Sequence, residues 1–244
     1  MEQYTVLHQL EVRFPTILDF PLGVRPLLSP FQKLCSSLHI YNENKISERI
    51  NLLFEDEFYQ ISLFHNNLVL RSQNNLETHI QNNSSLSSVF FDLLKVLESH
   101  PTFNGQKNFL HYALFVELKD TGSDFSVDRI GNAVLKKEVV DLIDSKYDIS
   151  CTISGFEDDI ESNIDLTIGA YIGSKDLERR KIEIIREDHF HLIEASGRLF
   201  ETRIHNLSDD FTFAKYKKIG KHIISKEISY GRKYIDERRS TQIR

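Results

Sequence analysis

Residues 4–14, Tyr-Thr-Val-Leu-His-Gln-Leu-Glu-Val-Arg-Phe, place Val6, Leu10, Val12 and Phe14 on one parity and Gln9, Glu11 and Arg13 on the other. That two-residue period belongs to a strand with one face in a core and one toward water. A strand at the start of the chain, followed by a helix signal and further short strands, sets the α+β class. Ser29-Pro30 reads as an N-cap with proline at the first helical position, and Phe31, Leu34, Cys35 and Leu38 follow at helical spacing, predicting about three turns.

Short alternating runs come next. Ile50-Leu52-Phe54, Tyr59-Ile61-Leu63 and Leu68-Leu70, with Asn66-Asn67 at a tight turn, predict an antiparallel meander. A polar loop spans residues 72–85. Val89, Phe90, Leu93, Leu94 and Leu97 then mark an amphipathic helix stopped by His100-Pro101. The order begins again with an apolar strand from Phe109 to Leu118 and a helix capped by Ser126, carrying Ile130, Val134, Leu135, Val139, Leu142 and Ile143. Strands are expected over Ile149–Ile153, Ile164–Ile172 and Lys181–Arg186. A hairpin of Phe190–Ala195 and Arg198–Ile204 around Ser196-Gly197 follows, and a long helix starts near Phe211. The expectation is two successive β-α-β(3-5)-α halves, residues 1–105 and 106–244, with antiparallel sheets covered by helices. The two sheets are either separate or joined into one saddle.

The composition, 40% hydrophobic and 27% charged, is that of an ordinary globular protein. Cys35 and Cys151 show no Cys-x-x-Cys spacing, which excludes a disulfide framework or a thiolate zinc site and points to a reducing, cytoplasmic setting. Met1-Glu2-Gln3-Tyr4 carries no basic segment leading into an apolar run. No stretch approaches the roughly 18 apolar residues of a bilayer span, so no membrane partner is expected. Net charge is −6, but residues 211–244 hold ten Lys or Arg against three acids, a local +7 that leaves −13 on the remainder.

That basic stretch is the foremost candidate contact. Lys215, Lys217, Lys218, Lys221, Lys226, Arg232, Lys233, Arg238 and Arg239 suit a protein partner or nucleic-acid phosphates, and Tyr216, Tyr230 and Tyr234 suit stacking or packing. The same residues also fit docking on the chain's own acidic remainder, since cations near a helix C-terminus complement its dipole. His189-Phe190-His191 is the best metal-like spacing: two residues apart on a strand, side chains share a face roughly 7 Å apart. The spacing fixes no third ligand, His205 being only a nominal one, and the favoured reading of those residues is a solvated strand face beside a turn. The acidic run Glu157-Asp158-Asp159, with Glu161 and Asp165, offers oxygens to a hard cation but lacks the spacing of a calcium loop. Both cysteines read as core packing. Nucleotide-binding glycine loops and nucleophile elbows are absent from the sequence, so no cofactor is expected.

The order of elements, the strand Tyr4–Phe14 and the closing helix Phe211–Tyr234 resemble a sporadically distributed family of uncharacterised bacterial proteins, over nearly the whole chain. The resemblance implies an accessory role in a multi-protein system and carries over no catalytic residue. Together these readings lead to the expectation of a non-enzymatic protein-interaction subunit of a bacterial complex, in antiviral defence or toxin control. The alternatives are nucleic-acid binding by the basic helix, and a small-ligand or metal-dependent enzyme using His189 and His191.

Overall fold

The leading strand of each half has two edges to satisfy, and the way it does so fixes the architecture. In the computed structural model, which describes residues 2–55, 58–74, 85–101, 103, 107–118, 137–142, 148–207 and 212–228, β1 (Glu2–Arg13) gives one edge to β5 (Asn67–Ser72), with Leu10 opposite Leu70. Strand β6 (Asn108–Leu118) likewise gives one edge to β9 (Ser196–Leu207), with Phe115 opposite Phe200. The remaining edges would leave a buried row of unpaired N–H and C=O groups, which is costly. They pair with each other. Tyr4 lies opposite Val116 and Val12 opposite Phe109, with a bulge between Thr5 and Leu7.

From this central pair the meanders run outward. On one side stand β5, β4 (Tyr59–Phe64), β3 (Arg49–Phe54) and β2 (Ser37–Tyr41); on the other stand β9, β8 (Ser162–Ile172) and β7 (Ser150–Glu157). The nine strands among the described residues form one antiparallel sheet in the order β2-β3-β4-β5-β1-β6-β9-β8-β7.

Among the described residues helical segments are few and most are short. The chain makes α1 (Phe20–Gly23), a 3-10 turn (Arg25–Leu28), α2 (Ser29–Gln32), α3 (Ser85–Glu98), α4 (Lys137–Val140), α5 (Gly173–Arg180), a second 3-10 segment (Glu187–Ile193) and α6 (Phe213–His222), which passes into a π-helical stretch (Ile223–Ile228). On one sheet face Leu10, Val12, Ile61, Phe115 and Phe200 pack with Phe90, Leu93 and Leu97 of α3 and with Tyr216 and Ile219 of α6. On the other, Val6, Leu114, Val116 and Leu199 pack with Leu177 of α5 and Leu192 of the second 3-10 segment. Both cores draw on β1 and β6. Among the described residues no helix is long and apolar enough to cross a membrane.

The expected two β-α-β(3-5)-α halves with antiparallel sheets covered by helices are therefore overturned: among the described residues a single nine-stranded sheet with few helices takes their place, so the strands are joined and not in separate sheets. Local differences have local causes. The helix begun at Ser29-Pro30 stops after one turn because Leu38 is drawn into β2, opposite Leu52. Lys181–Arg186 is irregular rather than a strand, and Phe190–Ala195 is mostly 3-10 rather than the first arm of a hairpin. Gly197 lies within β9, where a Cβ would come 2.5 Å from the Glu117 carbonyl oxygen, so its smallness serves strand packing and not a turn. Just before that irregular stretch stands the unforeseen α5, whose first residue, Gly173, has φ +38°. The helix expected from Ser126 falls largely outside the described residues; Val139 and Leu142, at its end, are exposed.

At the seam of the two meanders α6 meets β1 and β6 through a buried aromatic cluster. His8 Nε2 and His111 Nε2 lie 2.9 Å apart, and the Tyr216 hydroxyl lies 3.3 Å from His8 Nε2. Burial holds the His111 imidazole down to about 3, so it stays neutral in the folded protein.

Candidate functional site

Strand β7, Ser-Cys-Thr-Ile-Ser-Gly-Phe-Glu, is outermost in the sheet, and among the described residues no strand pairs with its free edge. Thr152, Ile153 and Phe156 suit a strand, and a complete ladder with β8, Ser150 opposite Gly169 through Glu157 opposite Ser162, holds it. Nearly every residue is exposed. Ile153 and Phe156 show 62% and 61% of their surface, on opposite faces. Natural edge strands are commonly blunted by lysine, proline, a bulge or brevity. β7 has eight residues, no proline and no lysine, and its single charge, Glu157, sits at the end.

Beside this edge one face of the sheet forms a polar groove. Thr152 of β7, Asp165 and Thr167 of β8, Glu201 and Arg203 of β9 and Tyr112 of β6 make its floor, and the C-terminal end of α5 brings Arg179, Arg180 and Lys181 over it, around a volume of about 500 Å³. A neighbouring cavity of about 390 Å³ shares Tyr112, Arg180 and Lys181 and extends along Gln9, Gln60 and Arg71. Lys181 ends α5 in the left-handed conformation, its N–H donating to the Leu177 and Glu178 carbonyls, which turns the chain at the groove's rim.

Charges in the groove alternate. Asp176 Oδ1 accepts from Arg179 Nη2 at 2.7 Å and Arg180 Nη1 at 2.5 Å; Arg180 Nε donates to Glu201 Oε2 at 2.9 Å, and Arg203 Nη2 lies 2.6 Å from Glu201 Oε1. The Arg203 guanidinium stands 5.6 Å from the centroid of Tyr112. Burial, reinforced by Glu201, pushes the Tyr112 hydroxyl above the usual tyrosine range, so it remains protonated. Asp165, bonded first by Ser154 and then by His205 at 2.9 Å, is held below the usual carboxylate range. Each arginine of this ladder is matched by a carboxylate, so the groove presents donors and acceptors in succession, not an uncompensated cationic trough.

The residues nominated by sequence fall elsewhere. His189 is buried and His191 exposed, on the second 3-10 segment rather than a strand; Tyr4 packs edge-on against both, at 5.4 and 4.9 Å. Burial, then Arg186, lowers His189 to about 4. No group of three potential metal ligands among the described residues includes either histidine, and His205 pairs with Asp165 instead. Of the basic helix, Lys218 and Lys221 are exposed, Lys215 is half-buried, and Lys217 lies with its Nζ 4.8 Å from the Phe213 ring centroid. Tyr216, expected to stack or pack, is buried in the core. The side chain of Lys226 and all of Tyr230, Arg232, Lys233, Tyr234, Arg238 and Arg239 lie outside the described residues. Cys35 and Cys151 are both half-buried.

Sequence periodicity does not single out Tyr112, Arg180 or Glu201, because they converge from three separate elements and share no spacing. The edge of β7 had a signal: eight residues from 150 to 157 with no charge before Glu157. Against known proteins, the chain matches no family model and no curated protein.

Proposed function

We propose that the protein is a non-enzymatic binding subunit that holds an extended segment of a partner protein as a further strand on β7. The observation that carries this is the exposed, unblunted edge of β7 beside a groove of alternating charge. In strand addition, main-chain hydrogen bonds supply affinity and pockets for alternate side chains supply selection. Here the edge offers the first and the Thr152–Thr167–Arg203 floor offers the second. The accessory role in a multi-protein system that the family resemblance implies agrees with such a part, and bacterial defence or toxin control is the setting proposed for it.

The test introduces edge lysines, Ile153→Lys with Phe156→Lys, and compares partner capture with the wild type. Both positions are exposed, so the variant keeps its fold. Capture falls by about tenfold or more, because charge on an edge disfavours pairing. In the bound wild type the outer amides of β7 gain protection from hydrogen exchange. Undiminished capture by the double variant, or no new protection in β7, sinks the reading. Concentration-dependent self-association abolished by the same lysines would name a second copy of the chain as the occupant.

A second reading, nucleic-acid binding by the C-terminal helix, is favoured by the outward placement of Lys218 and Lys221 on α6. Its signature is affinity for single-stranded DNA that drops steeply as salt rises. Binding indifferent to salt counts against it.

A further inference from the structure

At the far end of β7 the β7–β8 turn meets the C-terminal helix. Glu157 closes the strand, Asp159 sits in the turn, and Glu161, in the left-handed region at φ +52°, brings the chain back into β8. Backbone bonds from Ile160 N to Glu157 O and from Glu161 N to Asp158 O, both 3.3 Å, tighten that turn. His222, the last residue of α6, aims Nε2 at Glu157 Oε2, 3.6 Å away. Its side chain is only 9% exposed. The ligand atoms of Glu157, Asp159 and His222 all lie within 4.8 Å of one another.

We propose that Glu157, Asp159 and His222 form a binding site for a divalent first-row transition metal such as zinc, joining the tip of the β7–β8 hairpin to the C-terminal helix. A tetrahedral ion with bonds of about 2.0–2.1 Å holds its ligands about 3.3 Å apart, so closure from within 4.8 Å asks the widest pair to approach by at most about 1.5 Å. Asp159 is exposed in its turn, so core packing does not oppose that approach. The donor set chooses the ion: imidazole suits zinc, iron and nickel and is a poor partner for magnesium or calcium, which take oxygens. Three protein ligands leave a position for water. His222 also stands where α6 gives way to the π-helical Ile223–Ile228, a departure from regular winding that recurs at functional sites. The histidine comes from a different element than the carboxylates, which is why the acidic run read in the sequence lacked its decisive ligand.

The experiment is calorimetric titration of the chelator-treated full chain with zinc chloride, repeated with nickel and magnesium chloride. The expected result is one zinc per chain, with nickel competing and magnesium not. Asp159→Asn, at an exposed position that leaves the fold intact, weakens zinc binding by about tenfold or more, as loss of a ligand to a three-ligand site requires. His222→Gln removes binding, and His191→Ala leaves it unchanged. No zinc uptake by the wild type overturns the proposal. So does equal affinity in Asp159→Asn, or a loss in His191→Ala that would move the ion to the other histidine pair. Since Asp159→Asn decides the matter alone, misfolding of His222→Gln does not spoil the test.

Discussion

Strands β2 and β7 occupy the same position in their meanders, outermost, and end the sheet in opposite ways. β2 has five residues; Leu38 and Ile40 pack against the main core, and Arg49 of the adjacent strand covers the ring of Tyr41 at 4.4 Å. β7 has eight, and its two largest apolar side chains stand in water. The difference continues inward: β3, β4 and β5 are buried along most of their length, while β8 is only half-buried until Ile168. One end of the sheet is finished by its own packing. The other ends in β7, whose Ile153 and Phe156 have no core to enter, which is the condition under which an edge serves recognition.

The sharpest way to break this comparison is to remove equal volumes from the two meanders. Ile61, fully buried in β4, has neighbours that cannot follow a shrinking side chain, so Ile61→Ala costs about 2–5 kcal/mol in urea unfolding. Ile153→Ala, at the sheet edge, changes stability by no more than about 0.5 kcal/mol. Comparable losses at both sites would mean that β7 is packed as β4 is.

The seam gives the next effect. An unfolded histidine titrates near 6.5, and His111 in the fold near 3. Between those values only the unfolded chain takes up the proton, so stability is full above pH 6.5, falls as pH drops, and levels off near 3. From pH 7 to pH 5 the cost from this one group is about 2 kcal/mol. His189, lowered to about 4, adds a loss of the same sign. A His111→Gln variant flattens this dependence by the His111 share; an unchanged slope would mean that the group is hydrated in the fold.

Legibility in the sequence follows the range of the physics. Alternation is local, so β1, β3, β4, β5, β6 and β8 are all readable, as is α3 from Val89 to Leu97 and its stop at His100-Pro101. The pairing of β1 with β6 is not: it joins residues about a hundred positions apart, and nothing in either strand's period names its neighbour. Short runs mislead for the opposite reason. Leu38 fits a helical stripe and a strand equally, and the cross-strand partner Leu52 decides. The groove is illegible because Arg180, Glu201 and Tyr112 meet only after α5 and the sheet have formed. His222 joins Glu157 only once α6 has docked.

Docking of α6 is itself open to a milder perturbation. Thr212 caps the helix, its hydroxyl accepting from Lys215 N at 3.3 Å. Thr212→Ala leaves that donor without its side-chain acceptor and costs about 1 kcal/mol, read as a lower urea midpoint. Because α6 packs through Tyr216 on the seam and through Phe213 on Phe91 of α3, at 5.9 Å, the loss appears in global unfolding and not only as fraying.

The smallest effect separates the two faces of that helix. Tyr216, Ile219 and Ile223 are buried in the main core, whereas Lys218 and Lys221 point outward with no ion pair between them and a carboxylate among the described residues. If the lysines serve the fold by docking on the chain's acidic remainder, Lys218→Ala with Lys221→Ala lowers stability, and the loss shrinks in salt. If they serve a partner, stability stays within about 0.5 kcal/mol while retention on a polyanion column falls, and the salt dependence of that retention becomes shallower by roughly the number of contacts removed. Two exposed ammonium groups on flexible stems gain little from distant carboxylates in water, so the second outcome is expected. The basic face is then, like β7, a surface that the chain's own packing leaves for others.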